Sequence, residues 1–282
     1  MSVRRFLLIN SINEVYDLNN HDVFLYDPEG LGFDEATSYQ QIADNFVPTL
    51  VKYGRWEPRG TIFFNNPGAY AKYREFASFI AHAPLVLVYI VEGIEYRMDV
   101  RVQQLQKTQL ELGQELRSDI RFGALSPFYR ILTDSAVGSD DSGKKYSYTY
   151  SYNYRNSIED ELEIIVTGAL DSPVRLIVQG NSYDIVNPTW YHYQDGQLIS
   201  SGRVVATLTN GKQLYVDDWS IPYKIWETDE NGNMLRDLYG ASDFTTQRFM
   251  FAKPGTNRFL VAHEGLQHLT LTVSIKESYA TV

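Results

Sequence analysis

Carboxylates are the side chains in this sequence that come nearest to a catalytic arrangement. They lie in two clusters, Glu159, Asp160, Glu161 and Glu163 in the first and Asp217-Asp218, just before Trp219, in the second. Glycoside hydrolysis needs two carboxyl groups that face each other across a cleft. Proximity along one strand does not place them so, and charges on a strand edge also prevent aggregation. We therefore expect solvated acidic edges, with a β-sandwich glycosidase as the alternative.

Histidine offers the next possibility, since two histidines and a carboxylate could hold a metal ion. Of the five histidines, only His263 and His268 are close in sequence, around Glu264 and Gly265. Their spacing does not follow the rules for metal ligands, which favours a chance pairing across a turn. The chain has no cysteine, no glycine-rich phosphate loop and no G-x-S-x-G serine motif. We therefore predict no enzyme, no metal and no cofactor.

Aromatic residues are the third possibility. Five tyrosines alternate with small polar residues from Tyr146 to Tyr154, so on a strand all five would share one sheet face. This pattern is typical of a covered sheet or a subunit contact, and a sugar-stacking platform is the alternative. Trp190 and Trp226 are predicted to lie in a core.

One helix should organise the first half of the chain. The sequence predicts it over about residues 67–82, with Asn65 or Asn66 as N-cap, Pro67 in the first turn and Pro84 beyond its end. Its core-facing stripe would be Tyr70, Tyr73, Phe76, Ala77 and Ile80. Strands are predicted on both sides, at residues 60–64 before it and 85–91 and 94–102 after it, the last two joined by a turn at Glu92-Gly93.

The rest of the chain reads as short strands. In the first half they are predicted at residues 4–9, 21–27, 46–53, 104–112 and 114–122, with a tight turn at Gly30-Leu31-Gly32. In the second half they are predicted at residues 161–167, 174–178, 203–208, 213–216, 223–227, 248–252, 258–261 and 269–275. Asp195-Gly196, Asn210-Gly211 and Asn231-Gly232 are predicted hairpin turns.

These elements predict a mainly β chain of two domains. The polar stretch at residues 134–145 has the composition of a linker between an N-terminal domain, residues 1–133, and a C-terminal domain, residues 146–282. The N-terminal domain would be a β-sandwich with one helix. The C-terminal domain would be an antiparallel jelly-roll β-sandwich.

Charge and hydropathy limit the possible partners. The formal charge of −10 divides into −4 through Asp134 (13 basic, 17 acidic) and −6 beyond it (12 basic, 18 acidic). Proteins that bind nucleic acid usually carry basic faces, so stable nucleic-acid binding is disfavoured. No apolar run approaches the roughly 20 residues of a membrane span. We expect a soluble protein made in the cytosol, and the 21 tyrosines point toward assembly.

The order of these features resembles the distal tail protein family of bacteriophages with long, non-contractile tails. The first 130 residues carry the resemblance through the turn at residues 30–32, the run from Gly60 to Phe64, the tyrosine-bearing helix, the strands at 85–89 and 96–105, and Ser126-Pro127-Phe128-Tyr129. In the second half, residues 173–180, Asn187-Pro188, Phe249 and Pro254-Gly255-x-Asn257 are also similar.

The resemblance implies an N-terminal belt domain that closes into a homohexameric ring, and a C-terminal galectin-like β-sandwich outside it. It implies a structural hub in the virion at the distal tail tip, assembled in the host cytoplasm around a DNA channel. The partners would be the tail tube protein, the tape measure protein, the tail-associated lysin and receptor-binding or baseplate proteins. The segment 187–191 does not reproduce the residues with which galectins bind galactosides, so galectin activity does not follow from the fold.

Two predicted hairpins, around Gly54–Gly60 and Gln106–Gly113, and the tyrosine face are the predicted interfaces. The predicted interface residues are Tyr53, Arg55, Trp56, Arg59, Lys107, Glu111, Tyr148, Tyr150 and Tyr152. A carbohydrate-binding adhesion module that uses the tyrosine face is the alternative function.

Overall fold

The computed structural model describes residues 4–32, 35–110, 115–137, 159–265 and 267–282, and only the backbone of residues 51–53 and 159. The chain divides into two compact units. Unit 1 comprises Met1–Arg130 and Ser278–Val282, and unit 2 comprises Ile131–Glu277. The domain limits inferred from composition remain a prediction. The compact units differ from them because the last five residues belong with the first unit.

Unit 1 is an antiparallel β structure with one helix. Its elements are β1 (Arg5–Ile9), β2 (Val15–Asp17), β3 (Val23–Glu29), β4 (Glu35–Ile42), β5 (Asn45–Tyr53), β6 (Arg59–Phe64), α1 (Ala69–Ala81), β7 (Leu85–Val91), β8 (Ile94–Leu105), β9 (Leu116–Ala124) and the start of β10 (Phe128–Val137). The strands pair in the order β2-β1-β7-β8-β9-β6-β3. The long strand β8 pairs with β7 over residues 94–100 and with β9 over residues 100–105, and its register shifts between Val102 and Gln104.

The helix confirms the predicted element but not its predicted start. Gly68 is the N-cap residue, with a φ of 84°, and Asn66 Oδ1 lies at the limit of a hydrogen bond, 3.5 Å from the amide nitrogen of Ala69. The N-cap assignment to Asn65 or Asn66 was therefore wrong, because Pro67-Gly68 turns the chain before the helix begins. Phe76 and Phe79 are its buried aromatic side chains, whereas Tyr70 is exposed. The buried face of the helix therefore differs from the predicted one, since it includes Phe79 and not Tyr70. Tyr73 and Ile80 lie at its margin.

The core of unit 1 lies between α1 and the sheet. Phe64, Phe76 and Phe122 are fully buried there, and Phe6 stacks on Tyr89 with ring centroids 4.8 Å apart. Burial of each large side chain contributes about 1.5–3 kcal/mol, so this aromatic cluster can hold the helix on the strands. None of the helices among the described residues is long and apolar enough to cross a membrane.

Unit 2 is an antiparallel β-sandwich. Its elements are the rest of β10, β11 (Glu159–Val166), β12 (Ser172–Gly180), β13 (Ile185–Val186), β14 (Thr189–Gln194), β15 (Gln197–Arg203), β16 (Thr207–Leu208), β17 (Lys212–Asp217), β18 (Lys224–Asp229), β19 (Met234–Asp237), β20 (Phe251–Ala252), β21 (Gly255–Ala262) and β22 (Leu269–Tyr279), whose last two residues belong to unit 1. One sheet runs β10-β22-β12-β17-β18-β19 and the other β11-β21-β14-β15.

Alternation along the strands builds the core between these sheets. In β12, Val174, Leu176 and Val178 are fully buried while the residues between them are partly exposed, as expected for a strand with one covered face. Trp190 on β14 is fully buried and confirms a predicted core residue. Trp226 on β18 lies on the outer face beside Tyr215, so its prediction as a core residue was wrong. A tryptophan on a strand does not reveal which sheet face it occupies.

Turn chemistry explains most of the predicted hairpins. Glu92-Gly93 joins β7 and β8, and Asp195-Gly196 joins β14 and β15, each with positive φ at both turn residues. Asn210-Gly211 forms a turn, but β16 before it pairs with β13 rather than β17, so no hairpin results. The predicted separate strand at residues 104–112 was also wrong, since the strand ends at Leu105 and Gln106 begins a loop.

Candidate assembly surfaces

The predicted interface residues near Gly54–Gly60 lie on an extended segment that runs alongside β9. The predicted hairpin there was wrong, because β5 pairs with β4 and β6 pairs with β3 and β9. Between β5 and β6, the Trp56 carbonyl accepts a hydrogen bond from the Ala124 amide at 3.1 Å, and the Pro58 carbonyl accepts one from the Phe122 amide at 2.8 Å. This backbone pairing fixes the segment on unit 1. Gly30 lies beneath it with a φ of 72°, and a Cβ there would collide with the Glu57 carbonyl. The tight approach predicted for the Gly30–Gly32 turn is present at Gly30.

Arg55 and Trp56 leave this segment in different directions. Trp56 packs partly buried against the core of unit 1, and its Nε1 donates to the Ala280 carbonyl at 3.2 Å. Arg55 is exposed and lies across Gly123 of β9, where its Nε donates to the Ala124 carbonyl at 3.1 Å. Gly123 leaves the space for the guanidinium. Much of the Trp56 side chain is therefore used within its own unit, whereas Arg55 is presented at the surface.

Arg59 lines a polar groove of about 310 Å³ on the outer face of β6 and β9. Its guanidinium forms an ion pair with Glu29 at 2.6 Å. In the antiparallel register Arg59 is directly opposite Arg121, a like-charged pair that is unfavourable unless anions lie near it. Glu29 and Asp119 line the same groove and supply that charge. The groove can bind a partner surface of mixed charge.

The other predicted interface residues are less informative. Lys107 is exposed in the loop after β8. Tyr53 lies at the end of β5, but its side chain is outside the described residues. Glu111, Tyr148, Tyr150 and Tyr152 also lie outside the described residues. The proposed tyrosine face and the sugar-binding alternative that depends on it therefore remain predictions.

The hairpin of β4 and β5, of which the sequence predicted only the second strand, exposes many apolar side chains of unit 1. Strands β4 and β5 pair antiparallel through a two-residue loop, Ala43-Asp44, with a φ of 54° at Ala43 and a register shift between Ser38 and Tyr39. Among the described strands they pair only with each other. The sequence predicted β5, but β4 is too polar to be recognised as a strand by itself.

Both faces of this hairpin carry exposed apolar side chains. The cross-strand pairs place Ile42, Val47 and Leu50 on one face and Tyr39, Phe46 and Pro48 on the other. Phe46 is 68% exposed and Tyr39 is 62% exposed. No described hairpin side chain belongs to either core. An isolated two-stranded hairpin is marginally stable in water, so these faces need a second surface to cover them.

Of the carboxylates considered for catalysis, Asp160 and Asp217 form hydrogen bonds within the fold. Asp160 is buried and accepts a hydrogen bond from the Leu269 amide at 2.7 Å and another from His268. Asp217 is buried and accepts hydrogen bonds from Arg175, Ser220 and the Trp219 amide. The expectation of solvated edges was therefore wrong for Asp160, Asp217 and Asp218, because long-range strand pairing covers them; Glu161 and Glu163 are exposed as expected.

Asp218 is a buried carboxyl group of unit 2 with a strongly raised pKa. Burial raises its pKa to about 8, an effect to which the nearby charge of Asp217 adds and which a hydrogen bond from the Met250 amide opposes. Its Oδ2 accepts that hydrogen bond at 2.6 Å, while its Oδ1 is buried and has no hydrogen-bond partner in the part of the chain that the structure describes. A carboxyl group that is neutral and enclosed in this way belongs to the packing of the sandwich, and it does not face Asp217 across a cleft.

Three of the histidines also form hydrogen bonds within the fold. His263 is buried, with its Nε2 at 2.9 Å from the Gln267 carbonyl, and His268 Nδ1 lies 2.9 Å from Asp160 Oδ1. Within the described parts of the chain, no group of three or more histidine, aspartate or glutamate residues is placed to hold a metal ion. His192 is fully buried, stacks on Phe259, and lies 3.0 Å from Asn257 Oδ1. Burial lowers the pKa of His192.

Comparison with known proteins gives a family match for the first unit. Residues 5–125 match the family model described as distal tail protein, N-terminal domain. No curated protein sequence matches the chain. Among solved structures, a chain of the phage P2 baseplate in its activated conformation with calcium matches with a TM-score of 0.67 and 14% identity, over 99% of this chain and 100% of that chain. The strontium form of the p2 baseplate matches with a TM-score of 0.62 and 16% identity over the same shares.

A third structure extends the same fold assignment. The SPP1 Dit protein, described as a paradigm of the hub adsorption apparatus in phages that infect Gram-positive bacteria, matches with a TM-score of 0.62 and 14% identity. The match covers 95% of this chain and 98% of that chain. The predicted fold class, mainly β with one helix in the first half and a galectin-like β-sandwich in the second, is confirmed. The match of residues 5–125 to the family model for the N-terminal domain of distal tail proteins confirms the resemblance found in the sequence.

Proposed function

We propose that this chain, whose first unit is a distal tail protein domain, is a structural hub at the tip of a bacteriophage tail. Six copies form a ring that continues the tail tube and surrounds a DNA channel. The ring joins the tube and tape measure proteins to the tail-associated lysin and the receptor-binding apparatus. Its action is positional, since it holds these partners in register and turns over no substrate. The hub assembles in the host cytoplasm and resides in the virion.

The β4–β5 hairpin is the observation that supports this proposal. Its two apolar faces contact neither described core of their own chain, so the free protein leaves them in water. Association that buries such side chains is favourable by about 1.5–3 kcal/mol for each one fully covered, before the cost of association. A ring requires head-to-tail contact between two different surfaces of each copy. A hairpin from one copy that docks on its neighbour supplies such a contact.

The exposed Arg55 and the Arg59 groove support the same proposal. They present guanidinium and carboxylate groups near the surface of unit 1 that flanks β6 and β9. Charged rims of this kind set the register of an interface more than its strength. The hairpin would supply the apolar contact and the groove the orientation.

The first experiment measures the mass of the purified protein by light scattering at several concentrations and images it by negative stain. Six-fold rings with an open centre are expected. The paired changes Ile42→Ser with Val47→Ser, and Tyr39→Ser with Phe46→Ser, test the two hairpin faces separately, and at least one pair should leave monomers. The matched control pair, Ile165→Ser with Leu198→Ser, removes exposed apolar side chains from unit 2 and should leave rings intact.

Two results would contradict the proposal in different ways. A monomer at every concentration, also after addition of tail tube or lysin proteins, would refute the ring. If rings still form in both paired hairpin variants, the proposed role of the hairpin is refuted, but the proposal of a ring is not. Thermal unfolding of each variant separates loss of assembly from loss of folding.

A further inference from the structure

A cluster of aromatic side chains around one arginine forms an exposed patch on unit 2. It lies on the turn after β19, the loop before β20 and the segments before β16 and β18. Its members, which we call the Arg248 patch, are Val205, Tyr223, Tyr239, Phe244, Arg248 and Phe249. Phe244 is 58% exposed and Val205 63% exposed, and the two tyrosines are each 37% exposed. This mixture of aromatic side chains and arginine is the composition of strong protein–protein contacts.

Arg248 is held in a fixed position within the patch. Its guanidinium carbon lies 4.2 Å from the ring centre of Phe244, 4.9 Å from that of Tyr239 and 5.3 Å from that of Phe249. Its Nη2 donates to the Tyr239 hydroxyl at 2.9 Å. Its own carbonyl accepts a hydrogen bond at 2.9 Å from Nε1 of Trp190, which is fully buried. A side chain held in this way loses little freedom on binding, which favours affinity.

The charge of Arg248 has no carboxylate partner among the described residues. The other four described arginines of unit 2 each form an ion pair: Arg175 with Asp217, Arg203 with Glu264, Arg236 with Glu227, and Arg258 with Glu161. Among the described residues, the Arg248 side chain contacts three aromatic rings and one hydroxyl group, and its Nε is buried there without an acceptor.

Asp243, the nearest acidic residue in sequence, is engaged elsewhere. Its Oδ1 accepts hydrogen bonds from the Thr245 amide at 2.8 Å and hydroxyl at 2.7 Å. These hydrogen bonds are the main reason that its pKa is lowered, and the charges of Arg203 and Arg248 add to the effect. A partly enclosed guanidinium therefore lacks the bidentate acceptor that it fits best.

These observations also indicate the chemistry of the partner. A sugar ring would need an open aromatic face, but the guanidinium already covers one face each of Tyr239, Phe244 and Phe249. What remains open is Val205 and parts of the aromatic rings, an apolar surface around one cation. We propose that the Arg248 patch is a docking site for a protein segment that presents one aspartate or glutamate side chain among apolar side chains. This inference concerns unit 2 alone and does not depend on the ring.

The test selects binders to the purified full-length protein from a library of random dodecapeptides. Selected peptides should share an acidic residue flanked by apolar residues. Their affinity, measured by fluorescence anisotropy, should fall about tenfold or more for Arg248→Gln, as expected for loss of a charge-assisted hydrogen bond. Phe244→Ser should also weaken binding. The matched control is Arg258→Gln, because Arg258 also lies over a tyrosine ring, Tyr193, but already has a carboxylate partner; it should leave the affinity unchanged.

The same assay can overturn the proposal. Selected peptides without acidic residues, peptides that bind Arg248→Gln as tightly as the natural protein, or the absence of any binder would each refute it. Polygalacturonate, a soluble anionic polysaccharide, is titrated in parallel. If polygalacturonate binds in a way that depends on Arg248 and no peptide binds, the proposal is refuted and the ligand of the patch is an anionic glycan. Thermal unfolding confirms that each variant is folded, and monomeric variants from the ring experiment serve equally well as samples.

Discussion

Replacing Asp218 by asparagine should flatten the pH dependence of the stability of unit 2. The carboxyl group is 3% exposed, and burial raises its pKa from 3.8 to about 8. The folded protein therefore holds this proton up to about pH 8, while the unfolded chain releases it near the ordinary pKa. Between these values unfolding releases a proton, so the free energy of unfolding falls as pH rises. Asparagine has no such proton to release.

The magnitude follows from the linkage of one proton. Each pH unit changes the free energy of unfolding by about 1.36 kcal/mol for one proton, so two units, from about pH 5 to pH 7, change it by about 2.7 kcal/mol. The difference in stability between Asp218→Asn and the natural protein should shift by this amount in favour of the variant as pH rises. The asparagine Nδ2 would occupy the site of the unpartnered Oδ1, which adds an offset that does not depend on pH.

Urea unfolding followed by tryptophan fluorescence measures this difference, because Trp190, Trp219 and Trp226 lie in unit 2 and only Trp56 lies in unit 1. The control, Glu163→Gln, changes an exposed carboxylate and should leave the slope unchanged. Parallel pH profiles for the natural protein and Asp218→Asn would refute the reasoning, since they would show that Asp218 does not retain its proton in the folded protein.

Two further predictions concern the cores. Phe76→Ala, which empties the contact between α1 and the sheet of unit 1, should cost about 3–5 kcal/mol of stability, whereas Tyr70→Ala on the exposed side of the helix should cost less than about 1 kcal/mol. Calorimetry of the two variants would contradict the assigned helix face if the losses were similar. Because the pKa of His192 is lowered by burial, stability should be lost as pH falls below about 6.5, where the unfolded chain takes up the proton. His192→Gln should remove this acid sensitivity, and an unchanged acid profile of unfolding would contradict it.

Local signals predicted the elements that are determined by local chemistry. The turn at Glu92-Gly93 has positive φ at both residues, and Gly93, which adopts such a φ without a steric cost, marks the turn in the sequence. The helix between Pro67 and Pro84 was found from its spacing. Its N-cap was not, because Gly68 acts through backbone conformation and carries no capping side chain.

Features that depend on distant parts of the chain could not be predicted in this way. Alternating hydrophobicity marks a strand only if one face is covered, so β4, which is exposed on both faces, gave no signal. Likewise Asp160 is buried and accepts a hydrogen bond from the Leu269 amide, 109 residues away, and an acidic cluster in sequence does not reveal this. The Arg248 patch depends on the packing of several loops, so only the structure brings its rings together.

The membership of Ser278–Val282 in unit 1 bears on how the protein is synthesised. Trp56 bonds to Ala280, and Tyr96 contacts the ring of Tyr279 with centroids 5.3 Å apart. During translation the first 130 residues emerge long before Tyr279 and Ala280. Unit 1 therefore cannot complete these contacts of Trp56 and Tyr96 until the ribosome has synthesised the whole of unit 2. A fragment that ends at Arg130 would lack these contacts permanently.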